Sequence, residues 1–382
     1  MTMKSNLLQN YVRFNLEFKK GEGATLTSKS GEKFIDFASG IGVVSLGHSN
    51  SEWSEAISEQ LKTLTHVSNL YGNEIQEKVA RKISELAGFE LFSFFANSGA
   101  EANEGAIKLA RKYGKGDRFE IISLKNSFHG RTLGSLSATG QESLQNAFKP
   151  MIDGFKFAEN VSEIENLISE KTVAVILELV RGEGGVEMLS IPEVQKLAKT
   201  LKEKDILLIV DEVQSGVYRT GEFIASKYFQ IEPDIITFAK GLGNGIPIGI
   251  VATKLENGFV AGDHGSTFGG NYISSTATLK TLQILEREKA TIYKNIEIFE
   301  KNISDLIESF PNIFERKTGL GLMRGVVVKN GDVGDIVKKL NSAKVLTLKS
   351  GNNTLRFLPP LLISENEIAE GFKRIREALN GN

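Results

Sequence analysis

The chain has 382 residues, with 46 lysines and arginines, 47 acidic residues and no cysteine. This length predicts two domains and a large buried core. The net charge of −1 argues against nucleic acid or a membrane surface as the main partner, and the lack of cysteine excludes disulfides, thiolate metal sites and a cysteine nucleophile. The N-terminus lacks a signal-peptide core, and no run approaches the roughly 20 apolar residues of a membrane span, so we expect a cytoplasmic protein.

The first part of the chain predicts a small antiparallel element followed by two helices. Short extended segments lie between residues 11 and 37. Apolar residues at helical spacing predict amphipathic helices over 52–64 and 75–86, and Gly88 closes the second helix. The chain has only four histidines, and His48 has no carboxylate-rich motif beside it, so we predict no metal site.

A polar loop follows the next predicted strand. This strand, residues 92–96, leads into residues 97–103 and then into a helix that ends at about Lys112. A glycine-bearing loop at a helix start presents free N–H groups and the positive end of the helix dipole to an anion such as phosphate. The loop has neither Rossmann nor Walker glycine spacing, which disfavours a nucleotide. A plain helix cap by Ser98 is the alternative.

Two further strands end in residues suited to ligand binding. The strand at 120–124 is followed by Phe128 and Arg131. An aromatic ring at a strand end can cover one face of a planar ligand, and a guanidinium offers a planar fork for a carboxylate. On the residues alone, a core position for Phe128 is favoured. The strand at 173–177 ends in the polar, glycine-rich stretch 178–185.

An acid and a lysine stand at the ends of two apolar, β-branched runs. Residues 206–210 lead to Asp211, and residues 235–238 lead to Lys240. An amine condenses with an aldehyde, and a carboxylate keeps a ring nitrogen protonated, so this pair suits pyridoxal phosphate (PLP). The alternative is a buried structural ion pair between Asp211 and Lys240.

The last part of the chain combines a strand, a polar loop, helices and an α+β tail. The strand is expected at 247–253, a polar glycine loop at 264–271, and a long helical segment from 278 to 307. Arg356 stands shortly before Pro359-Pro360. Without further information, an arginine in this setting is expected at the surface.

Three segments of the chain resemble the signature of the class III (subgroup II) aminotransferases, which are PLP enzymes of fold type I. These segments are Asp211-Glu212-Val213-Gln214, Tyr218-Arg219-Thr220-Gly221 and Phe238-Ala239-Lys240-Gly241. The resemblance covers nearly the full chain. It implies an α/β fold with a mainly parallel central sheet flanked by helices, in a large PLP-binding domain at 46–275. A small α+β domain would be built from 1–45 and 276–382.

The resemblance also assigns cofactor-binding roles. It implies that Lys240 binds the cofactor aldehyde covalently and that Asp211 pairs with the ring nitrogen, which makes these two the catalytic residues. A threonine at the position of Thr267 reaches the cofactor phosphate of the other subunit, which implies a homodimer with a shared active site. The residues that correspond to the family's cofactor site are Ser98, Gly99, Ala100, Phe128, Asp211, Gln214, Lys240 and Thr267.

The same resemblance implies how amino acid and 2-oxo acid substrates bind. Arg131 would hold the carboxylate farthest from the reacting amine. Glu183 would pair with Arg356 when the amine is terminal, and would release it when 2-oxoglutarate brings a second carboxylate. The resemblance is to the acetylornithine branch of the family, on the segment Ser68-Asn69-Leu70-Tyr71. This branch converts N-acetyl-L-ornithine and 2-oxoglutarate to N-acetyl-L-glutamate 5-semialdehyde and L-glutamate in arginine biosynthesis.

Several alternatives stay open. Some members of the acetylornithine branch also accept succinyl-diaminopimelate, and an ornithine or 4-aminobutyrate aminotransferase is the second interpretation. A non-catalytic PLP-fold binding protein is disfavoured by the intact set of site residues. The chain departs from the family's usual wording at Leu179, Arg181 and Thr318, which leaves substrate preference open.

Overall fold

The structure is a computed structural model that describes residues 6–381. Residues 1–5 and 382, which belong to the predicted small domain, lie outside the described residues. The strands are β1 (Phe18–Glu22), β2 (Thr25–Ser28), β3 (Lys33–Asp36), β4 (Phe92–Ala96), β5 (Glu120–Leu124), β6 (Phe155–Ala158), β7 (Thr172–Leu177), β8 (Val180–Arg181), β9 (Glu187–Met188), β10 (Leu207–Asp211), β11 (Ile235–Phe238), β12 (Gly249–Thr253), β13 (Phe314–Leu320), β14 (Met323–Val328), β15 (Val345–Leu346), β16 (Leu348–Ser350) and β17 (Thr354–Phe357).

Helices separate most of these strands. The α-helices are α1 (Ser39–Gly42), α2 (Ser51–Thr63), α3 (Glu74–Ala87), α4 (Gly99–Tyr113), α5 (Leu133–Ala138), α6 (Glu142–Gln145), α7 (Ile164–Leu167), α8 (Ile191–Glu203), α9 (Ala225–Tyr228), α10 (Tyr272–Arg287), α11 (Lys289–Ser309), α12 (Val333–Ser342) and α13 (Glu365–Asn380). Short 3₁₀ turns occur at Asn146–Phe148, Val161–Glu163 and Lys240–Leu242.

A seven-stranded sheet forms the centre of the molecule, in the order β4-β12-β11-β10-β7-β5-β6. Only β12 runs antiparallel to its neighbours, β11 and β4. Every residue of β7 and β10 is buried, as expected of strands covered on both faces. The predicted mainly parallel α/β sheet is therefore confirmed.

The two faces of the sheet pack against different helices. On one face Val175 and Leu208 belong to a core cluster that includes Leu197 of α8. On the other face Ala174 and Ile209 pack in a cluster with α4. Alternate residues of each strand thus face opposite helices, so both faces of the sheet are covered.

Segments from both ends of the chain meet in the smaller sheets. β15 pairs in parallel with β3 of the N-terminal sheet, while β13, β14, β17 and β16 form a second four-stranded sheet. An aromatic cluster also joins the two ends: Phe37 contacts Phe299 and Phe372 with ring centroids 5.2 and 5.5 Å apart. The division into domains at 46–275 stays a prediction, and residue 275 lies inside α10.

Most predicted elements occur where the sequence placed them. The strands at 92–96, 120–124 and 235–238 have the predicted bounds. The long helical segment is divided, because Glu288 lies between α10 and α11 with φ −90° and ψ 16°. Within residues 6–381, no helix combines the length and apolar character needed to cross a bilayer, and no three metal-ligating side chains cluster.

Candidate active site

A cavity of about 360 Å³ lies at the carboxyl ends of the central strands. Glu178 follows β7, Asp211 ends β10 and Lys240 follows β11, so the sheet brings all three to one edge. Most of the residues identified from the sequence line this cavity: Ser98, Gly99, Ala100, Phe128, Arg131, Glu183, Asp211, Gln214 and Lys240.

Lys240 presents its amine to the cavity. Its backbone adopts φ 45°, a left-handed conformation that is uncommon for a residue with a side chain. Within residues 6–381 its side chain forms no hydrogen bond and no ion pair shorter than 4 Å. Burial lowers the pKa of the Lys240 amine, while the nearby Asp211 charge acts in the opposite direction. The structural ion pair between Lys240 and Asp211 is therefore not formed.

Three hydrogen-bond donors hold Asp211 instead. His129 Nδ1 and Asn103 Nδ2 both lie 2.8 Å from Asp211 Oδ2, and the Val213 N–H donates to Oδ1 at 3.0 Å. Thr237 Oγ1 donates to Asn103 Oδ1 at 2.8 Å, which orients the amide so that its NH₂ group faces Asp211. These donors stabilise the negative charge of Asp211 at a position that is only 4% exposed.

His129 and Asn103 were not identified as site residues from the sequence. The contact between His129 Nδ1 and Asp211 Oδ2 assigns a proton to Nδ1, because an ionised carboxylate can only accept a hydrogen bond. Position was the signal available in the sequence: His129 stands next to Phe128, and Asn103 is the last residue of the predicted polar loop 97–103.

The start of α4 forms the polar end of the cavity. Ser98 caps the helix by accepting a hydrogen bond from the Glu101 N–H at 3.2 Å. The N–H groups of Gly99 and Ala100 belong to the first turn, where a helix offers no acceptor. A Cβ on Gly99 would lie 2.7 Å from Val213 Cγ1, so glycine lets the helix start approach the strand end. The geometry suits an anion.

Phe128 and Arg131 form one wall of the cavity. Phe128 is partly exposed and lies outside the hydrophobic core clusters, in contrast to the core position favoured by the residues alone. The Arg131 guanidinium carbon lies 5.6 Å from the centroid of the Phe128 ring. The Arg131 side chain is exposed, so its donors stay available to a ligand.

Arg356 lies directly behind the cavity lining. Its Nη1 donates to Glu183 Oε1 at 2.7 Å and to the Gly182 carbonyl at 2.8 Å, and it lies 3.4 Å from Gln214 Oε1. Arg356 is only 3% exposed, so the surface position expected of an arginine before Pro-Pro is wrong. Its Nε finds no hydrogen-bond partner within residues 6–381, which leaves a buried donor beside the site.

Thr267 is the one predicted cofactor residue that lies away from the cavity of its own chain. It is exposed on the loop between Ser266 and Gly269. Asn69 Nδ2 donates to the carbonyls of both of these residues at 2.9 Å and so joins this loop to the one that carries Leu70.

The comparisons with known proteins agree with this geometry. The model of the aminotransferase class-III family matches residues 8–379. The chain belongs to the class III aminotransferases. It is 49% identical to the acetylornithine aminotransferase of Wolinella succinogenes, over 99% of this chain and 98% of that protein. The predicted family and the prediction of an aminotransferase are confirmed.

Solved structures support the fold of this aminotransferase. The ornithine aminotransferase of Toxoplasma gondii has a TM-score of 0.92 and 28% identity, covering 98% of this chain and 92% of that chain. The N-acetylornithine aminotransferase of Stenotrophomonas maltophilia has a TM-score of 0.82 and 30% identity, covering 96% and 95%. The predicted fold type is confirmed.

A third carboxyl group, beside those of Asp211 and Glu183, lines the cavity of this aminotransferase. Glu178 Oε2 accepts a hydrogen bond from the Phe128 N–H at 2.8 Å, and Oε1 accepts one from the Gly182 N–H at 3.3 Å. Burial raises the pKa of Glu178 to about 7, and the Asp211 charge also raises it while His129 lowers it. Glu178 follows a buried strand just as Asp211 does, which was the signal available in the sequence.

The three departures from the family's usual wording lie outside the cavity lining. Leu179 is buried in the core beside α8, and Thr318 Oγ1 donates to the Gly185 carbonyl at 2.9 Å. Arg181 Nη1 donates to the Lys125 carbonyl at 3.3 Å. Each side chain therefore contacts the protein around the site and not the cavity itself.

Proposed function

We propose that this aminotransferase transfers the terminal amino group of N-acetyl-L-ornithine to 2-oxoglutarate, with PLP as cofactor. The products would be N-acetyl-L-glutamate 5-semialdehyde and L-glutamate, as in arginine biosynthesis. The 49% identity to an acetylornithine aminotransferase over nearly the full length of both chains carries the proposal. Succinyl-diaminopimelate is a second amine donor to test, because, like N-acetylornithine, it carries an acylated amino group on a carbon that bears a carboxylate.

The residues at the cavity fit PLP. A volume of about 360 Å³ falls within the range of small-ligand sites. The first turn of α4 offers free N–H groups to a phosphate, and the amine of Lys240 is without a hydrogen-bond partner in the described part of the chain. Asp211 offers a carboxylate that accepts hydrogen bonds from three donors.

In this proposal each residue of the chain has a defined task. When bound, PLP supplies an aldehyde that accepts the amino group and a ring that withdraws electrons from the substrate. Lys240 binds the cofactor and, as a free amine, moves a proton at its Nζ. Its lowered pKa favours the neutral amine that this task requires. Asp211 holds the proton on the ring nitrogen.

The remaining cofactor contacts are assigned in the same way. Ser98, Gly99 and Ala100 would hold the phosphate, and Phe128 would cover one face of the ring. Gln214 would lie at the ring hydroxyl, a role supported by its place in the cavity lining beside Asp211.

Two arginines would recognise the substrate carboxylates. Arg131 is exposed at the cavity wall, where its fork can bind the carboxylate of either substrate. Glu183 Oε1 lies 2.7 Å from Arg356 Nη1 and neutralises its charge. This arrangement suits a substrate whose terminal amine carries no carboxylate on the same carbon. When 2-oxoglutarate enters, Glu183 would release Arg356 to its second carboxylate, so one cavity would accept both substrates.

We also propose a homodimer with a shared active site, in which Thr267 binds the phosphate of the partner's cofactor. Large apolar side chains flank Thr267 on the two joined loops. Leu70 is 87% exposed, Tyr71 70% and Phe268 61%, which is unusual for side chains of this size. A second copy of the chain would cover them.

An ornithine aminotransferase is the second candidate. The TM-score of 0.92 to the Toxoplasma gondii enzyme exceeds that of 0.82 to the Stenotrophomonas maltophilia enzyme, although the identity to both is near 30%. A steady-state assay of glutamate formation from 2-oxoglutarate tests the choice. We expect kcat/KM for N-acetylornithine to exceed that for ornithine or 4-aminobutyrate by at least about 100-fold. The reason is that a site that binds the acyl group of N-acetylornithine gains no such contact with the two amines that lack it. Higher kcat/KM for ornithine would refute the proposed substrate.

A further inference from the structure

The loop that carries Glu183 is anchored through both backbone polar groups of Gly182. The Gly182 N–H donates to Glu178 Oε1 at 3.3 Å. The Gly182 carbonyl accepts from Arg356 Nη1 and from Ser350 Oγ, both at 2.8 Å. A Cβ on Gly182 would lie 2.4 Å from Gln214 Oε1, so the backbone itself packs against the cavity lining.

The other oxygen of Glu178 reaches the opposite wall of the cavity. Oε2 accepts the Phe128 N–H at 2.8 Å, close to Arg131 in the same loop. One carboxyl group, 7% exposed, therefore links the loop that would bind the distant substrate carboxylate to the loop that holds Arg356 in its ion pair. Both bonds are made to backbone N–H groups, so they constrain the course of the two loops directly.

We propose that Glu178 is a positioning residue that fixes these two loops relative to each other, so that the Glu183–Arg356 pair opens by side-chain rotation while the backbone stays in place. The opening of the pair rests on the proposed function, whereas the link between the loops does not. Without this link, the backbone of the loop at Gly182 would be free to move together with the Glu183 side chain. The Glu183–Arg356 ion pair would then be weaker in the resting enzyme. An amine donor that needs Arg356 neutralised would then bind less well, while 2-oxoglutarate, which needs Arg356 free, would not.

Glu178→Gln tests this role with little change in volume. Glutamine offers one acceptor oxygen where glutamate offers two, and its NH₂ group would face a backbone N–H. Asp234→Asn is the matched control: Asp234 Oδ2 also accepts a backbone N–H, from Leu208 at 2.8 Å, but it precedes β11 at the edge of the sheet opposite the cavity. Glu178→Asp serves as a second variant that keeps the charge, should the glutamine variant fail to fold.

Amide hydrogen exchange of the full-length protein as purified is the first measurement. We expect the amides of residues 182–185 to exchange about tenfold faster in Glu178→Gln, and less so in Glu178→Asp, because the hydrogen bond from the Gly182 N–H is lost or lengthened. Asp234→Asn should leave this segment unchanged. Unchanged exchange at 182–185 in the Glu178 variants would overturn the proposal whatever the enzyme's substrate.

The second measurement separates positioning from a general loss of stability. In Glu178→Gln we expect the ratio of KM for N-acetylornithine to KM for 2-oxoglutarate to rise about fivefold. Asp234→Asn should not change this ratio. An equal change in both KM values in Glu178→Gln would overturn the role of Glu178. If the wild-type enzyme does not use N-acetylornithine, the proposed function fails, and the exchange result still decides whether Glu178 holds the loops.

Discussion

Replacing Glu178 with glutamine is expected to change how the stability of the cofactor-free protein depends on pH. The pKa of Glu178 rises from 4.5 to about 7 in the folded protein because of burial. The folded state therefore binds more protons than the unfolded state between these values, and stability falls as pH rises from about 4.5 through 7. Glutamine does not titrate, so the variant escapes this loss.

The size of the effect follows from the linkage relation. A shift from 4.5 to about 7 corresponds to about 3 kcal/mol once both states are ionised, and most of this, about 2 to 3 kcal/mol, develops between pH 5 and pH 8.5. The free energy of unfolding of Glu178→Gln minus that of the wild type should become more positive by this amount across that range. The comparison cancels the titration of the groups that do not interact with Glu178.

Urea unfolding followed by circular dichroism, at intervals from pH 5 to pH 8.5, measures this difference. Glu308→Gln is the matched control, since it removes the same charge from an exposed glutamate. The control should show a nearly constant difference. A constant difference for Glu178→Gln as well would refute the argument that burial raises the pKa of this carboxyl.

The remaining predictions concern the cavity directly. Lys240→Ala should abolish turnover while some cofactor still binds, and wild-type turnover in that variant would contradict its catalytic role. Arg131→Ala should raise KM for carboxylate substrates by about tenfold with a smaller effect on kcat, and an unchanged KM would remove Arg131 from the site. Gly99→Ala should weaken PLP binding by about tenfold, because the new Cβ would lie 2.7 Å from Val213 Cγ1. Gly381→Ala, whose Cβ would meet only the Glu377 carbonyl oxygen at 3.4 Å, should leave PLP binding unchanged. Equal PLP affinity in the two glycine variants would show that the start of α4 does not set the phosphate site.

The strand ends were predictable because local patterns determine them. Asp211 and Lys240 follow short apolar, β-branched runs, and such runs in an α/β protein end at one edge of the sheet. The same logic placed Phe128 and Arg131 after β5, and a family resemblance was needed only to give these residues roles.

The network behind the site was not predictable from local patterns. His129 and Asn103 lie 82 and 108 residues from Asp211 in the chain. The packing of α4 against β10 and β11 brings Asn103 to 2.8 Å from Asp211, and the loop after β5 brings His129 to the same distance. The burial of Arg356 likewise depends on the loop at Gly182, which is distant in sequence. The pKa of Glu178 depends on burial and neighbouring charges, neither of which a local pattern contains.

A single-turnover absorption experiment tests whether this cavity performs PLP-dependent transfer from N-acetylornithine. N-acetylornithine, ornithine and 4-aminobutyrate are added separately to the purified protein without a 2-oxo acid, and the visible band of the lysine-bound cofactor is followed. We expect rapid loss of the band with N-acetylornithine and slow or no loss with the other two amines. A protein that binds no cofactor with such a band would contradict the roles of Lys240 and Asp211, and loss with ornithine or 4-aminobutyrate alone would contradict the proposed substrate.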